Sequence, residues 1–158
     1  MCIRDSGKRA DAVMFSDMVF RMGCVWFASA QSSNSDVWMY RFDYETGAMR
    51  MSNLHSFHSS DLPFIFGNYR HTMARFMLLF ARRKNILKIS REMQKDFKDF
   101  MENGVCNWEK CSENNVPAKC YGLNTHIEDC MPRQLTELYG QTEFYRRSFS
   151  EDAKGLDL

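Results

Sequence analysis

The chain has 158 residues, of which 44% are hydrophobic, so it is long enough to bury a core of its own. Its formal net charge of +1 gives no basic or acidic excess, which argues against nucleic acid or an anionic membrane as a partner. No run of about 18 apolar residues occurs, so we expect no membrane span.

The two ends of the chain are expected to lie outside the folded domain. Residues 1–6, Met-Cys-Ile-Arg-Asp-Ser, match the translation of a transposase end sequence used in DNA library preparation. We therefore interpret them as an adapter artefact, to be left out of fold reasoning, with a genuine start methionine as the alternative. Residues 150–158 form an acidic tail that we expect to be disordered. This leaves residues 7–149 as the domain.

The first predicted elements are a helix and a strand. Residues 12–31 predict a helix, because apolar side chains recur every four positions at Met14, Met18, Met22 and Trp26. A polar turn over 31–36 ends it. Residues 37–42 predict a strand buried on both faces, as in a mostly parallel sheet, with a half-exposed edge strand as the alternative. This order is typical of an α/β fold with helices covering a sheet.

Downstream of the strand, residues 45–48 look irregular and lead to a loop over 55–67. Loops that follow the carboxyl ends of strands are where α/β sheets place their chemistry. The basic residues of 68–84 predict a solvated helix face rather than a binding patch. Ser90 to Gly104 predicts a helix capped by Ser90 and stopped by Gly104. A loop with Pro117, a strand over 119–123 and a short helix over 133–146 are expected to follow.

Six cysteines occur, and four of them crowd into one segment: Cys106, Cys111, Cys120 and Cys130. With His126 they form the spacing C-x4-C-x8-C-x5-H-x3-C, which lacks the C-x2-C pairs of a typical zinc site. Reduced thiols are the favoured interpretation, and one disulfide or a metal site are the alternatives.

The loop carries the most informative pattern, His58-Ser-Ser-Asp61-Leu-Pro-Phe-Ile-Phe-Gly67. It resembles the "H-x-x-E-l-p-f-v-F-G" segment of type-B carboxylesterases, the family of para-nitrobenzyl esterases and cholinesterases. Two further blocks are similar to the family in the same order. They are Asp17-Met-Val-Phe20 with Val37-Trp-Met-Tyr-Arg-Phe-Asp43, and Ile89-Ser90-x-x-Met93 leading to Phe100-x-x-x-Gly104-x-x-Asn107-Trp108.

The chain departs from the family pattern at four of these positions. Ser59 stands where Gly or Ala is common, which would crowd the turn, and Asp61 replaces the more usual Glu, which has a longer reach. Cys106 and Glu109 stand where the family favours proline. None of these changes removes the imidazole of His58.

The resemblance implies the C-terminal portion of an α/β-hydrolase, incomplete as given, and the activity of a carboxylic-ester hydrolase with a Ser-His-Asp/Glu triad. His58 would be its catalytic general acid and base, since an imidazole titrates near neutral pH. His55 is the competing candidate, but His58 holds the register with Asp61 and Gly67. Asp61 is expected to support the loop rather than to be the triad acid.

The other parts of a serine esterase are missing from these 158 residues. No G-x-S-x-G occurs, so the nucleophile, the acid and the oxyanion hole would have to come from further upstream, and the chain alone should be inactive. Small-molecule esters are the implied substrates, and no metal or organic cofactor is implied. His71 and His126 are expected to be surface residues.

Two alternatives come from other functional classes. One is a non-catalytic, cholinesterase-like binding or adhesion domain that keeps the fold but lacks the triad. The other is a cysteine-rich module that binds zinc through Cys106, Cys111, Cys120 and Cys130.

Overall fold

A computed structural model describes residues 20–52 and 56–130, without the side chains of residues 72 and 73. Its elements, numbered in chain order, are α1 Met22–Gln31, β1 Met39–Phe42, α2 Gly47–Met51, α3 Leu62–Ile65, α4 Thr72–Met77, α5 Arg83–Asn103, β2 Pro117–Tyr121 and β3 His126–Asp129. Several predictions concern residues outside this part: the adapter, the beginning of the first helix, His55, the helix over 133–146 and the tail.

The strands form one sheet in the order β1-β2-β3. β1 pairs in parallel with β2, placing Met39 beside Ala118, and β2 pairs antiparallel with β3, placing Cys120 beside His126. The described sheet is therefore mixed rather than mostly parallel. Among the described residues no helix is long and apolar enough to cross a bilayer.

Helices cover both faces of the sheet. The side chains of β2 alternate between the two faces, so each face has a core of its own. On one face Val25 and Ala28 of α1 pack with Ala118. On the other face Tyr121 packs with Ile89 and Met93 of α5. The α/β architecture expected from the sequence is thus present as three layers, α1, sheet and α5.

The predicted burial of β1 is wrong. All four of its residues are only half-buried, whereas every residue of β2 is buried. β1 is one of the two outer strands of the described sheet and β2 is its centre, so the alternative of a half-exposed edge strand holds. The irregular stretch expected over 45–48 is also corrected, because Thr46 caps α2 by accepting a hydrogen bond from the Met49 amide at 3.2 Å.

The long helix α5 begins seven residues before the predicted cap at Ser90. Ser90 lies inside the helix, is buried, and donates its hydroxyl to the Phe64 carbonyl at 2.5 Å. The predicted stop at Gly104 is confirmed, with φ +69° in the left-handed region. The basic side chains of 68–84 are exposed as predicted, but α4 ends at Met77, so they do not share one helix.

Candidate functional site

The loop that carries His58 lies at the carboxyl end of β1. The Ser56 hydroxyl donates a hydrogen bond of 2.6 Å to the carbonyl of Phe42, the last residue of that strand. Because β1 and β2 are parallel, their carboxyl ends lie at the same end of the sheet. This is the end at which α/β proteins place their reactive groups. The position is the one expected from the sequence.

A tight turn over residues 57–61 presents the imidazole. The Ser60 amide donates to the Phe57 carbonyl at 3.0 Å, and the Ser60 side chain is almost fully buried. Ser59 adopts φ +68°, a left-handed conformation that favours glycine. The crowding expected at Ser59 is therefore present as a strained backbone, and the turn still forms.

The side chain of His58 is exposed and contacts one aromatic ring. Its imidazole stacks on Phe20, with ring centroids 5.8 Å apart and planes 15° apart. Neither ring nitrogen has a hydrogen-bond partner among residues 20–52 and 56–130.

Asp61 pairs with a tyrosine and not with His58. Its Oδ2 accepts a hydrogen bond of 2.7 Å from the hydroxyl of Tyr40 in β1. Burial, followed by this hydrogen bond, raises the pKa of Tyr40 well above its usual range. Sequence reasoning did not single out Tyr40, although the strand pattern that contains it was part of the resemblance. The structure brings His58 and Asp61 into one turn without a direct contact between their side chains.

The remaining described histidines and cysteines do not add to this turn. His71 and His126 are exposed, as expected. The five described cysteines are free thiols, and the four of the crowded segment do not come together as one ligand cluster within the described part.

One group of potential metal ligands does occur there, formed by Cys120, His126 and Glu128 within 4.8 Å of one another. The Arg41 guanidinium contacts Glu128 at 2.7 Å and Arg21 contacts it at 3.7 Å, so cations already occupy the carboxylate. Burial raises the pKa of Cys120 to about 12, which keeps the thiol protonated.

A pocket of about 200 Å³ lies on the α5 side of the sheet, and His58 does not line it. Seven residues line it: Trp38, Tyr40, Asp96, Phe97, Phe100, Cys106 and Trp108. The Trp38 indole donates to the Trp108 carbonyl at 3.0 Å, and the Trp108 indole donates to the Met39 carbonyl at 3.1 Å. The polar groups of both indoles are thus satisfied within the protein, and the pocket is largely apolar.

Comparison with known proteins decides the family. A sequence profile described as the Carboxylesterase family matches residues 4–131. The chain belongs to the carboxylesterase family. The para-nitrobenzyl esterase of Bacillus subtilis (strain 168) is 44% identical over 55 residues, which cover 35% of this chain and 11% of that protein.

Solved structures agree with this family membership. A thermophilic PNB esterase has a TM-score of 0.67 at 26% identity, covering 84% of this chain and 27% of that one. A carboxylesterase from Geobacillus stearothermophilus has a TM-score of 0.61 at 28% identity, covering 74% of this chain and 25% of that one. The α/β-hydrolase fold expected from the resemblance is confirmed, and this carboxylesterase chain spans about a quarter of the length of these structures.

Proposed function

We propose that this chain is part of a serine-type carboxylic-ester hydrolase and that His58 is its general acid and base. The observation that carries the proposal is the presentation of an exposed imidazole, with no described partner for its nitrogens, at the carboxyl end of β1. Family membership supports ester hydrolysis as the reaction class. Small-molecule esters are the proposed substrates, and the domain is proposed to span residues 7–149, with 1–6 an adapter artefact.

In this reaction the imidazole takes the proton of a serine hydroxyl as that oxygen attacks the ester carbonyl. The proton then passes to the leaving alkoxide, and an acyl-serine remains. In the second half the imidazole takes a proton from water as the water oxygen attacks the carbonyl carbon of the acyl-serine. The bond between that carbon and the serine oxygen then breaks, the carboxylic acid leaves, and the imidazolium returns its proton to the serine oxygen. Such proton transfers contribute about 10²- to 10⁴-fold to the rate.

The serine, the triad acid and the oxyanion donors are proposed to lie outside these 158 residues, because the sequence contains no G-x-S-x-G elbow. Asp61 is proposed to support the turn. The chain alone is expected to hydrolyse no ester faster than free imidazole does, since these 158 residues contain neither the elbow serine that the imidazole would activate nor an oxyanion hole.

The test is to read the source DNA upstream of the codon for Gly7. An in-frame G-x-S-x-G, together with a glycine-rich turn that can form an oxyanion hole, would support the proposal. A frame that encodes the same fold without the serine would identify a non-catalytic relative. A stop codon immediately before Met1 would overturn the proposal, because no serine could then complete the triad.

A further inference from the structure

Two hydrogen bonds attach the His58 turn to β1, one on each side of the histidine. Ser56 precedes His58 and bonds the carbonyl of Phe42, whereas Asp61 follows it and accepts from Tyr40. The first tether uses a backbone acceptor, which no substitution in β1 removes. The second depends entirely on one side-chain hydroxyl, that of Tyr40.

The ring of Tyr40 is itself fixed by aromatic neighbours. It makes edge contacts with Phe97 of α5, at a centroid distance of 5.4 Å, and with Tyr121 of β2, at 6.0 Å. Edge-to-face geometry is a preferred arrangement of aromatic pairs, so these contacts favour the observed orientation of the Tyr40 ring. Because its pKa is raised, the hydroxyl remains a donor at every pH at which the protein would be assayed.

The hydrogen bond from Tyr40 to Asp61 holds a turn whose backbone is strained. Ser59 lies between His58 and Asp61 and adopts the left-handed conformation. A turn with such a residue relaxes unless its surroundings hold it. The short helix α3, which starts directly after Asp61, offers no alternative, since the Asp61 side chain makes no capping hydrogen bond there.

We propose that Tyr40 is a positioning residue, which sets the place of the His58 imidazole by holding Asp61 with its hydroxyl. The Tyr40 ring thereby connects α5 and the sheet to the turn. The hydrogen bond from Tyr40 to Asp61 is present whether or not His58 reacts. Only the consequence of this positioning for catalysis rests on the proposed function of His58.

The test compares imidazole resonances of the isotope-labelled full chain in Tyr40→Phe, Asp61→Ala and the double variant, because an alanine at position 61 has no acceptor for the Tyr40 hydroxyl. Tyr69→Phe is the matched control, because the Tyr69 hydroxyl also bonds a side chain, Ser90, but not this turn. Thermal unfolding of each variant is recorded alongside. His71, an exposed histidine on another part of the chain, serves as the internal reference.

We expect Tyr40→Phe and Asp61→Ala to move the His58 resonances in the same direction, and the double variant to add nothing beyond either. Tyr69→Phe should leave His58 in place. An unchanged His58 in folded Tyr40→Phe, or an equal change in Tyr69→Phe, would overturn the positioning role. Should Tyr40→Phe fail to unfold cooperatively, Asp61→Ala decides alone by the same criterion. None of these outcomes bears on whether an upstream serine exists, so the two proposals fail separately.

Discussion

The ring of Phe20 lies nearly parallel to the imidazole of His58, with planes 15° apart. The two residues come from separate blocks of the family resemblance, one just before α1 and one after β1. Stacking restricts rotation of the imidazole about its side-chain bonds and leaves the edge that carries the nitrogens uncovered. Phe20, which is itself half exposed, thus packs against an exposed histidine.

Replacing Phe20 with alanine should release the imidazole. We expect the ring protons of His58 in Phe20→Ala to lose their ring-current shift and to move toward the values of the exposed His71. Phe27→Ala is the matched control, since Phe27 lies on α1 and is 70% exposed. The measurement is a proton–carbon correlation spectrum of the histidine rings. A His58 signal that Phe20→Ala leaves unchanged would show that the rings do not stack in solution.

The left-handed residue of the turn gives a prediction with a defined sign. Ser59→Gly should raise the free energy of unfolding by about 1 kcal/mol, because a non-glycine residue at φ +68° costs about that much or more. Gly104→Ala should lower it by a similar amount of about 1 kcal/mol, since Gly104 also has a positive φ and no neighbouring atom would obstruct a methyl group. Urea unfolding measures both, and a loss of stability in Ser59→Gly would contradict the turn geometry.

Features that depend on a few adjacent residues could be predicted from the sequence. Gly104 was predicted because a glycine that ends a helix is a local signal. The His58 loop was predicted because its motif is continuous. β3 was missed because its residues, His126–Asp129, are mostly exposed and form a strand only by pairing with β2.

Features that depend on distant contacts could not be predicted. Ser90 looks like a cap in the sequence, but the Phe64 carbonyl, which arrives from another helix, makes it a buried donor. The burial of β1 depends on which strands flank it. The pairing of Asp61 with Tyr40 joins two segments whose distance in the fold no local pattern encodes.

We expect the buried ion pair between Lys119 of β2 and Asp96 of α5 to contribute more to the free energy of unfolding than an exposed ion pair does. Lys119 contacts Asp96 at 2.5 Å and both side chains are largely inaccessible, while Tyr121 donates to the same carboxylate oxygen at 2.6 Å. Lys119→Met leaves the buried carboxylate without its cation, which should cost about 3–5 kcal/mol.

The control for this substitution is Lys110→Met, which removes an exposed pair with Asp36 and should cost about 0–1 kcal/mol. Both variants are compared by urea unfolding under the same conditions. Equal effects of the two substitutions would mean that Lys119 and Asp96 are not buried together.

The raised pKa of the Cys120 thiol predicts how the free energy of unfolding changes at alkaline pH. Burial raises its pKa to about 12 in the folded chain, whereas a thiol in the unfolded chain ionises near a pKa of about 8.5. Between these values the folded state keeps a proton that the unfolded state loses, so stability should fall as the pH rises through this window.

Cys120→Ala should remove part of that slope, while the loss of a fully buried sulfur lowers the stability by a similar amount at every pH. Peptide mapping after alkylation of the native chain gives a second measurement, in which exposed Cys24 reacts well before buried Cys120. Equal rates of alkylation at these two cysteines would contradict the burial of Cys120.

The catalytic role of His58 is tested most directly in the complete protein, assembled by joining the upstream reading frame to residues 7–158. The measurement is kcat/KM for hydrolysis of a simple phenyl ester by the wild type, His58→Ala and His55→Ala. We expect His58→Ala to reduce kcat/KM by about 10²- to 10⁴-fold or more, while His55→Ala stays close to the wild type. Wild-type activity in His58→Ala, or its loss in His55→Ala alone, would contradict the assignment of His58 as the catalytic histidine.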